Sequence, residues 1–314
     1  MTHLVAGVAM MQPFAGIDVT QSVVGVGFAV LAALAFAAQS LTVRLGTRTR
    51  SITEVVAVMF GVNLLVLLPV AGASAYPDYG LTGTAVAAFA VAGVLGSLLA
   101  RACYFVGIER LGASRAEPLR ALVPLFALAA ALLVLDERVT PVLLLGVALL
   151  LAGGVVVTLD SRTVPGTESG RQLLIALSFP VAAALFLGID PIFTKIGFAD
   201  GTPALVAVTV RVAAAAAGFG LYLLWRAVRE GTAPSIGVNR WLVGASVANT
   251  VYLLSYYEAL ARTPVTVVTP ILSTSTLFVI GGAALFLRKD ERVTRRLVAG
   301  GLLVVLGVVF VVRG

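Results

Sequence analysis

The chain contains one pentapeptide twice, and this repetition constrains its fold more than any other feature. Asp-Glu-Arg-Val-Thr occupies positions 136–140 and again positions 290–294. An apolar run that opens with Pro118 or Pro270 precedes each copy, and an apolar run with paired glycines follows each copy. Internal repetition of this kind indicates two structurally similar halves.

The composition indicates a membrane protein. Of 314 residues, 60% are hydrophobic and only 12% are charged, whereas a soluble domain carries about 25% charged residues. The single Cys103 excludes a disulfide framework and a multi-cysteine metal site, and the single His3 gives little support to histidine chemistry. The net charge of +7 is distributed over short loops, so it does not indicate nucleic-acid binding. We therefore predict no cofactor, no metal and no nucleic-acid partner.

Apolar segments divide the chain into predicted membrane spans, each of which needs about 20 mainly apolar residues. Ten segments satisfy this rule: 22–43, 54–73, 82–107, 114–135, 141–159, 172–194, 203–225, 240–261, 265–287 and 297–313. The predicted fold class is an all-α integral membrane protein with ten transmembrane helices, arranged as two inverted five-helix repeats.

The longest polar break separates the two halves and has the Pro, Gly and Ser content of a linker. The predicted organisation is a first repeat at 22–160, a linker at 161–171 and a second repeat at 172–314. An odd number of spans per half makes the second half enter the membrane from the opposite side, which inverts the repeats. Residues 1–21 are predicted to be an extension, because they lack the positive region of a secretory signal.

Basic residues predict the orientation, because Lys and Arg collect in cytoplasmic loops. One end of the predicted bundle carries most of them, and we call it the arginine-rich face. Its members are Arg44, Arg48, Arg50, Arg110, Arg115, Arg162, Arg171, Arg226, Arg229, Arg240, Arg288, Lys289, Arg292, Arg295 and Arg296. We predict a multi-pass protein of the cell membrane with this face in the cytoplasm and both termini outside.

The end of each half resembles a known domain. Glu117-Pro118, the following apolar run and the pentapeptide at 136–140 resemble the end of an EamA-type domain, and Thr269-Pro270 through 294 repeats the pattern. The chain is similar to ten-span members of the drug/metabolite transporter superfamily. This resemblance implies secondary transport, usually export, of small metabolites such as amino acids, nucleobases or drugs. Such proteins commonly have cytoplasmic termini, whereas the charge distribution here predicts the reverse.

Two polar and aromatic stripes, related by the repeat, form the candidate substrate site. The first stripe contains Ser97, Arg101 and Tyr104, and the second contains Asn249, Tyr252 and Tyr256. In each stripe the residues share one face of an α-helix, and Arg101 corresponds to the apolar Leu253. This arrangement suits a ligand with one carboxylate and an apolar body. The alternative is that Arg101 extends to the membrane interface and the tyrosines form an aromatic belt.

Further charges inside the spans are candidates for a proton carrier or for ion pairs, because buried charges are costly and face a cavity or a partner. Glu117 and Arg120 are spaced for a pair within one helix. Asp190, which corresponds to Gln39 in the first half, precedes Pro191, and we predict that the two residues interrupt the sixth span. Asp190 is then either a proton carrier or part of a helix end at the membrane interface.

The remaining intramembrane charge is Arg211, for which we predict Glu258 as the partner on a neighbouring helix. Thr140 and Thr294 are predicted to cap the helices that follow them. The glycine pairs at 146 and 153 and at 300 and 307 indicate close helix packing, either within the protein or across a homodimer.

The favoured function is proton-linked export of an amino acid or related organic acid by alternating access between the repeats. The chain contains no phosphate-binding loop that would allow ATP to drive it. An alternative is a membrane-embedded enzyme or flippase for a lipid-linked substrate, and a receptor is a third. An enzyme would need paired carboxylates or a catalytic loop, and the short loops offer neither. We therefore predict no enzymatic activity.

Overall fold

The computed structural model describes residues 19–126, 129, 140–161, 169–231, 236–262, 265–288 and 291–313. All regular elements within these ranges are helical. In chain order they are α1 (Val19–Gly46), α2 (Ile52–Ala75), α3 (Gly83–Ala92), a π-helical segment (Gly93–Ala100), α4 (Arg101–Leu111), α5 (Ala113–Arg120), α6 (Pro141–Ser161), α7 (Gly170–Phe198), α8 (Ala204–Glu230), α9 (Arg240–Arg262), α10 (Val265–Ser273), α11 (Ser275–Phe286) and α12 (Arg295–Arg313). Residues 1–18, most of the linker and most of the first pentapeptide lie outside the described residues.

The helices follow the predicted spans closely. Among the described residues, seven helical stretches are long and apolar enough to cross a membrane, and Pro270–Phe286 is a shorter apolar helix. The predicted fourth span is described only in part. The all-helical, membrane-spanning fold is therefore confirmed, whereas the count of ten spans and their division into five per half stay predictions.

Local sequence signals set several helix ends. Ser51 and Glu54 form a capping box at the start of α2, in which each side chain accepts a hydrogen bond from the other residue's backbone N–H. Thr140 Oγ1 accepts from Leu143 N, and Thr294 Oγ1 accepts from Leu297 N. The prediction that both threonines cap helices is confirmed.

The two halves interdigitate. Helix α1, which opens the first half, packs along α9, which belongs to the second half. Helix α7, which opens the second half, packs in the same way against α3, the π-helical segment and α4 of the first half. Each half thus supplies its first helix to the other half, and the interior of the protein lies between them.

The glycine pairs join the last helices of the two halves within one chain. A Cβ atom at Gly146 would lie 3.0 Å from Gly307 O, and one at Gly153 would lie 2.8 Å from Gly300 O. These glycines therefore let α6 and α12 approach at backbone distance. Of the two predicted interpretations, the structure supports packing inside the protein.

Two related helices are broken near their prolines. Helix α5 contains Pro118 and ends at Arg120 in a turn, and α10 contains Pro270 and ends at Ser273 before α11 begins. Proline removes a backbone donor and crowds the preceding turn, which favours such breaks. By contrast, α7 continues without interruption through Asp190 and Pro191 to Phe198. The predicted interruption of the sixth span at this point is therefore wrong.

Candidate functional site

The first polar cluster of the interior surrounds Glu117, at the end of α5. We define the Glu117 cluster as Glu117, Arg120, Tyr104, Ser40 and Ser275. The fully buried carboxylate accepts from Arg120 Nε at 2.9 Å and from Arg120 Nη2 at 2.8 Å. It also accepts from Tyr104 Oη at 2.8 Å and from Ser275 Oγ at 3.1 Å. Four hydrogen bonds thus satisfy both oxygens and hold the charge in place.

The Glu117 cluster also joins the two helix breaks. Glu117 lies just before the end of α5, and Ser275 begins α11 directly after the second break. Arg120 Cζ lies 4.3 Å from the ring centroid of Phe36 on α1. Interrupted helices that meet at the repeat interface are a feature of secondary transporters, whose sites form at such points.

The second cluster is a ladder of neutral side chains, which we call the amide ladder: Gln39, Asn249, Asn63 and Thr250. Asn249 Nδ2 donates to Gln39 Oε1, and Asn63 Nδ2 donates to Asn249 Oδ1, both at 2.7 Å. Thr250 Oγ1 donates to Asn63 Oδ1 at 2.9 Å. All four side chains are buried. The ladder ties α1, α9 and α2 together without a charge.

The third cluster is the ion pair of Asp190 on α7 and Arg211 on α8. Arg211 Nη2 lies 2.8 Å from Asp190 Oδ1 and 2.7 Å from Oδ2. Arg211 Nη1 donates to Thr194 Oγ1 at 3.2 Å and lies 3.5 Å from Tyr257 Oη. Asp190 thus holds only one nitrogen of its partner, unlike Glu117, which engages two.

The predicted pair of Arg211 with Glu258 is wrong. Glu258 bonds to Arg262 one turn further along α9, at 2.6 Å, and its side chain is 48% exposed. Arg211 pairs with Asp190 and not with Glu258, because α7 and α8 bring Asp190 next to Arg211. Glu258 lies near the end of α9. The side chain of Lys195, which lies five residues after Asp190, is outside the described side chains.

The π-helical segment makes room for the Asp190–Arg211 pair. A Cβ atom at Gly93 would lie 2.3 Å from Arg211 O, so the segment touches the backbone of α8. A Cβ atom at Gly96 would lie 3.1 Å from both Arg211 Nη2 and Asp190 Cγ. Segments of π-helix occur frequently at functional sites. The segment contains the half-buried Ser97 and leads directly into Arg101.

Arg101 has no counter-charge among the described residues. Its Nη1 atom is buried and has no hydrogen-bond partner there, and its Cζ atom lies 5.2 Å from the ring centroid of Phe60. Arg101, Arg120 and Arg211 all lie close enough to Tyr252 to interact with it electrostatically, so the three guanidinium groups lie in the same part of the interior. With Glu117 and Asp190 they sum to one positive charge. A buried donor without a partner is costly, and an anionic ligand would satisfy it.

The structure brings only some residues of the two predicted stripes into one region. Tyr252 and Tyr256 stack with ring centroids 5.9 Å apart, and Tyr252 lies in the region of Arg101. The hydroxyl of Tyr104 belongs to the Glu117 cluster and the amide of Asn249 to the amide ladder. Both side chains are buried, so neither belongs to an aromatic or polar belt at the interface.

Contacts between the halves also lie at the arginine-rich face, and sequence reasoning did not single out their carboxylates. Glu291, from the second pentapeptide, accepts from Ala113 N at 2.7 Å and from Ser114 N at 3.0 Å, at the start of α5. Arg44 Nε lies 3.4 Å from Glu291. Gly112 has a φ of +89°, and its missing Cβ leaves space for this carboxylate. The sequence feature that could have identified Glu291 was the exact repetition of the pentapeptide, which contains this residue.

Asp160, at the end of α6, makes the second such contact. It accepts from Arg115 Nε at 3.0 Å and from Thr294 Oγ1. Arg115 also donates to the carbonyl oxygen of Arg292 at 2.9 Å. First-half side chains thereby hold both the start of α12 and the turn that precedes it.

Comparisons with known proteins agree with this architecture. The sequence profile of the EamA-like transporter family matches residues 23–159 and residues 174–313, one match in each half. A solved crystal structure of a protein that is 17% identical superposes with a TM-score of 0.60, covering 93% of this chain and 97% of the other. At this level of identity, the likeness is evidence for a shared fold and for nothing more. No curated protein matches the sequence.

Proposed function

The chain belongs to the EamA-like transporter family, and we propose that it exports a small metabolite with one carboxylate, such as an amino acid or related organic acid. The observation that carries this proposal is the buried Nη1 of Arg101, which has no hydrogen-bond partner among the described residues. A carboxylate is the natural partner of a guanidinium group. The stacked rings of Tyr252 and Tyr256 offer an apolar surface for the body of the substrate.

Alternating access fits the predicted inverted arrangement of the two halves. Each half supplies its first helix to the other, so a rocking motion between the halves would open one face while it closes the other. In the proposed cycle, the contacts of Glu291 and Asp160 belong to the state in which the arginine-rich face is closed. The proposed cycle requires these contacts to break when that face opens.

Proton coupling is proposed to act through Asp190. Its described partner contacts come from a single guanidinium nitrogen, whereas Glu117 is held by Arg120, Tyr104 and Ser275. Protonation of Asp190 would release Arg211 and add a positive charge to the site. Because protonation changes the charge of the site, it changes the affinity of the site for an anionic substrate, which links proton and substrate movement.

The experiment is transport by purified protein in proteoliposomes, after a thermal-shift screen of amino acids and organic acids identifies a ligand. Arg101→Ala should lower flux at least about tenfold, the equivalent of 1.4 kcal/mol, while thermal unfolding changes little. Arg229→Ala is the matched control, because Arg229 is an exposed residue near the end of α8.

Two results would contradict the proposal. Unchanged flux in Arg101→Ala would remove Arg101 from the substrate site. A screen in which only cationic or neutral compounds stabilise the protein would contradict the carboxylate class while leaving membership of the family untouched.

A further inference from the structure

We infer that the transported substrate is an aromatic monocarboxylate without an amino group, and therefore an organic acid and not an amino acid. This assignment rests on the proposed function, because it names the substrate class of the same interior site. Three features of the site support it: the excess of positive charge, the engagement of both carboxylates and the aromatic surface beside them.

Positive charge exceeds negative charge around Arg101. Arg101 and Arg211 lie close enough to interact electrostatically, and Arg120 lies in the same part of the interior. Glu117 compensates Arg120. Asp190 compensates Arg211, so the charge of Arg101 is the one without a counter-charge among the described residues. A charge that has left water needs a partner of opposite sign. A monoanion supplies that partner, whereas a zwitterion has no net charge and leaves the excess unchanged.

The two carboxylates of the site are already engaged, which leaves the ammonium group of an amino acid without a partner among them. Both oxygens of Glu117 accept hydrogen bonds from Arg120, and two hydroxyl groups donate to the same carboxylate. Both oxygens of Asp190 accept from Arg211. An ammonium group would have to displace one of these arginines and would lie among guanidinium groups of like charge, which repel it. A substrate without an amino group avoids both costs.

An aromatic surface lies beside the excess charge. Tyr252 stacks on Tyr256 with ring centroids 5.9 Å apart, and Tyr256 meets Tyr257 edge to face at 5.6 Å. The ring of Phe36 meets Tyr252 edge to face at 5.2 Å. The three tyrosines are half-buried, so part of each side chain stays accessible. Aromatic rings gain from stacked and edge-to-face contacts beyond the area that they bury, so this surface favours a ring over an aliphatic body of similar size.

The test measures the binding of four probes to the purified full-length protein in detergent, by thermal shift and by equilibrium titration. Phenylpropanoate is the aromatic monocarboxylate, and phenylalanine differs from it by the amino group. Phenylpropanamide lacks the charge, and cyclohexylpropanoate lacks the aromatic ring. We expect phenylpropanoate to bind about tenfold more tightly than phenylalanine and phenylpropanamide, and severalfold more tightly than cyclohexylpropanoate.

Two variants separate the charge from the ring. Arg101→Gln removes the excess charge and should bind phenylpropanoate and phenylpropanamide about equally. Arg229→Gln, at an exposed position near the end of α8, is the matched control and should keep the wild-type preference. Tyr256→Leu should lose the preference for phenylpropanoate over cyclohexylpropanoate while it keeps the preference for the acid over the amide.

The outcomes distinguish this assignment from the proposed function. Binding of phenylalanine as tight as that of phenylpropanoate would overturn the assignment and leave a carboxylate substrate in place. Equal binding of phenylpropanoate and its amide by wild type would contradict the proposed function itself. Equal binding of phenylpropanoate and cyclohexylpropanoate, or no binding of phenylpropanoate, would also overturn the assignment of an aromatic acid.

Discussion

Gln39 and Asp190 occupy equivalent positions in the two halves, yet the structure surrounds them with opposite chemistry. Gln39 accepts a hydrogen bond from Asn249 within the neutral amide ladder. Asp190 forms an ion pair with Arg211 against Gly96 of the π-helical segment. In both cases the first helix of one half meets the third span of the other. Corresponding helices of the two halves thus meet, but the side chains at the two meeting points differ.

The difference matters because the amide ladder keeps its charge, whereas the Asp190–Arg211 pair can change its charge. Each hydrogen bond of the ladder contributes about 1 kcal/mol, and no proton transfer near neutral pH alters an amide. The ion pair changes its charge when Asp190 takes a proton, and its partner Arg211 remains charged. We therefore expect the ladder to stabilise the fold and the Asp190–Arg211 pair to respond to the proton gradient.

The largest expected effect follows from Asp190→Asn. It leaves Arg211 buried without a counter-charge and should lower the free energy of unfolding by about 3 kcal/mol. Flux in proteoliposomes should no longer respond to a pH gradient, whereas substrate exchange without a gradient should remain measurable.

Asp190→Asn with Arg211→Gln is the matched control for the loss of charge balance. This double variant should regain most of the thermal stability without regaining the response to pH. Full dependence on the gradient in either variant would assign the proton to another carboxylate, with Glu117 as the next candidate.

A smaller effect is expected from Asn249→Leu, which breaks the ladder in the middle. The amides of Gln39 and Asn63 lose their partners, so the free energy of unfolding should fall by about 2 kcal/mol. Flux per folded molecule should keep its response to the pH gradient. Loss of that response with intact folding would mean that the amide ladder, like the Asp190–Arg211 pair, takes part in the response to the pH gradient.

The smallest effect is expected from Gly96→Ala. The added Cβ lies 3.1 Å from Arg211 Nη2 and Asp190 Cγ, so the pair must shift, at a cost of about 1 kcal/mol and with slower flux. Gly61→Ala is the control, since a Cβ there has no neighbour within 4 Å and alanine favours the helix. If both variants transported at the wild-type rate, the close fit at Gly96 would have no role in transport.

Features that depend on neighbours along one helix were predictable from the sequence. Glu117 and Arg120 form the contact expected from their spacing of three residues. Thr140 and Thr294 cap the helices that follow them. Such contacts depend on helical geometry alone, which the order of residues determines.

Contacts between helices were predicted less well. Arg211 bonds to Asp190 and not to Glu258, and Asn249 bonds to two amides from other helices. Periodicity indicates which face of a helix is polar, but it does not indicate which neighbour that face meets. The π-helical segment also changes the angular spacing between Ser97 and Arg101, which an α-helical projection cannot anticipate.

The sequence by itself determined the membrane-spanning helical fold, its two related halves and the family to which the chain belongs, because hydropathy and internal repetition depend only on the order of residues. The tertiary structure decided which charges are neutralised and which remains without a partner. Asp190 meets Arg211, Glu117 meets Tyr104 and Ser275, and Arg101 keeps a buried donor unpaired. Ser275 lies 158 residues from Glu117 in the other half of the chain, and Asp190 lies 21 residues from Arg211 on the preceding helix. Such pairings depend on how separate helices pack, which the order of residues along one helix does not determine.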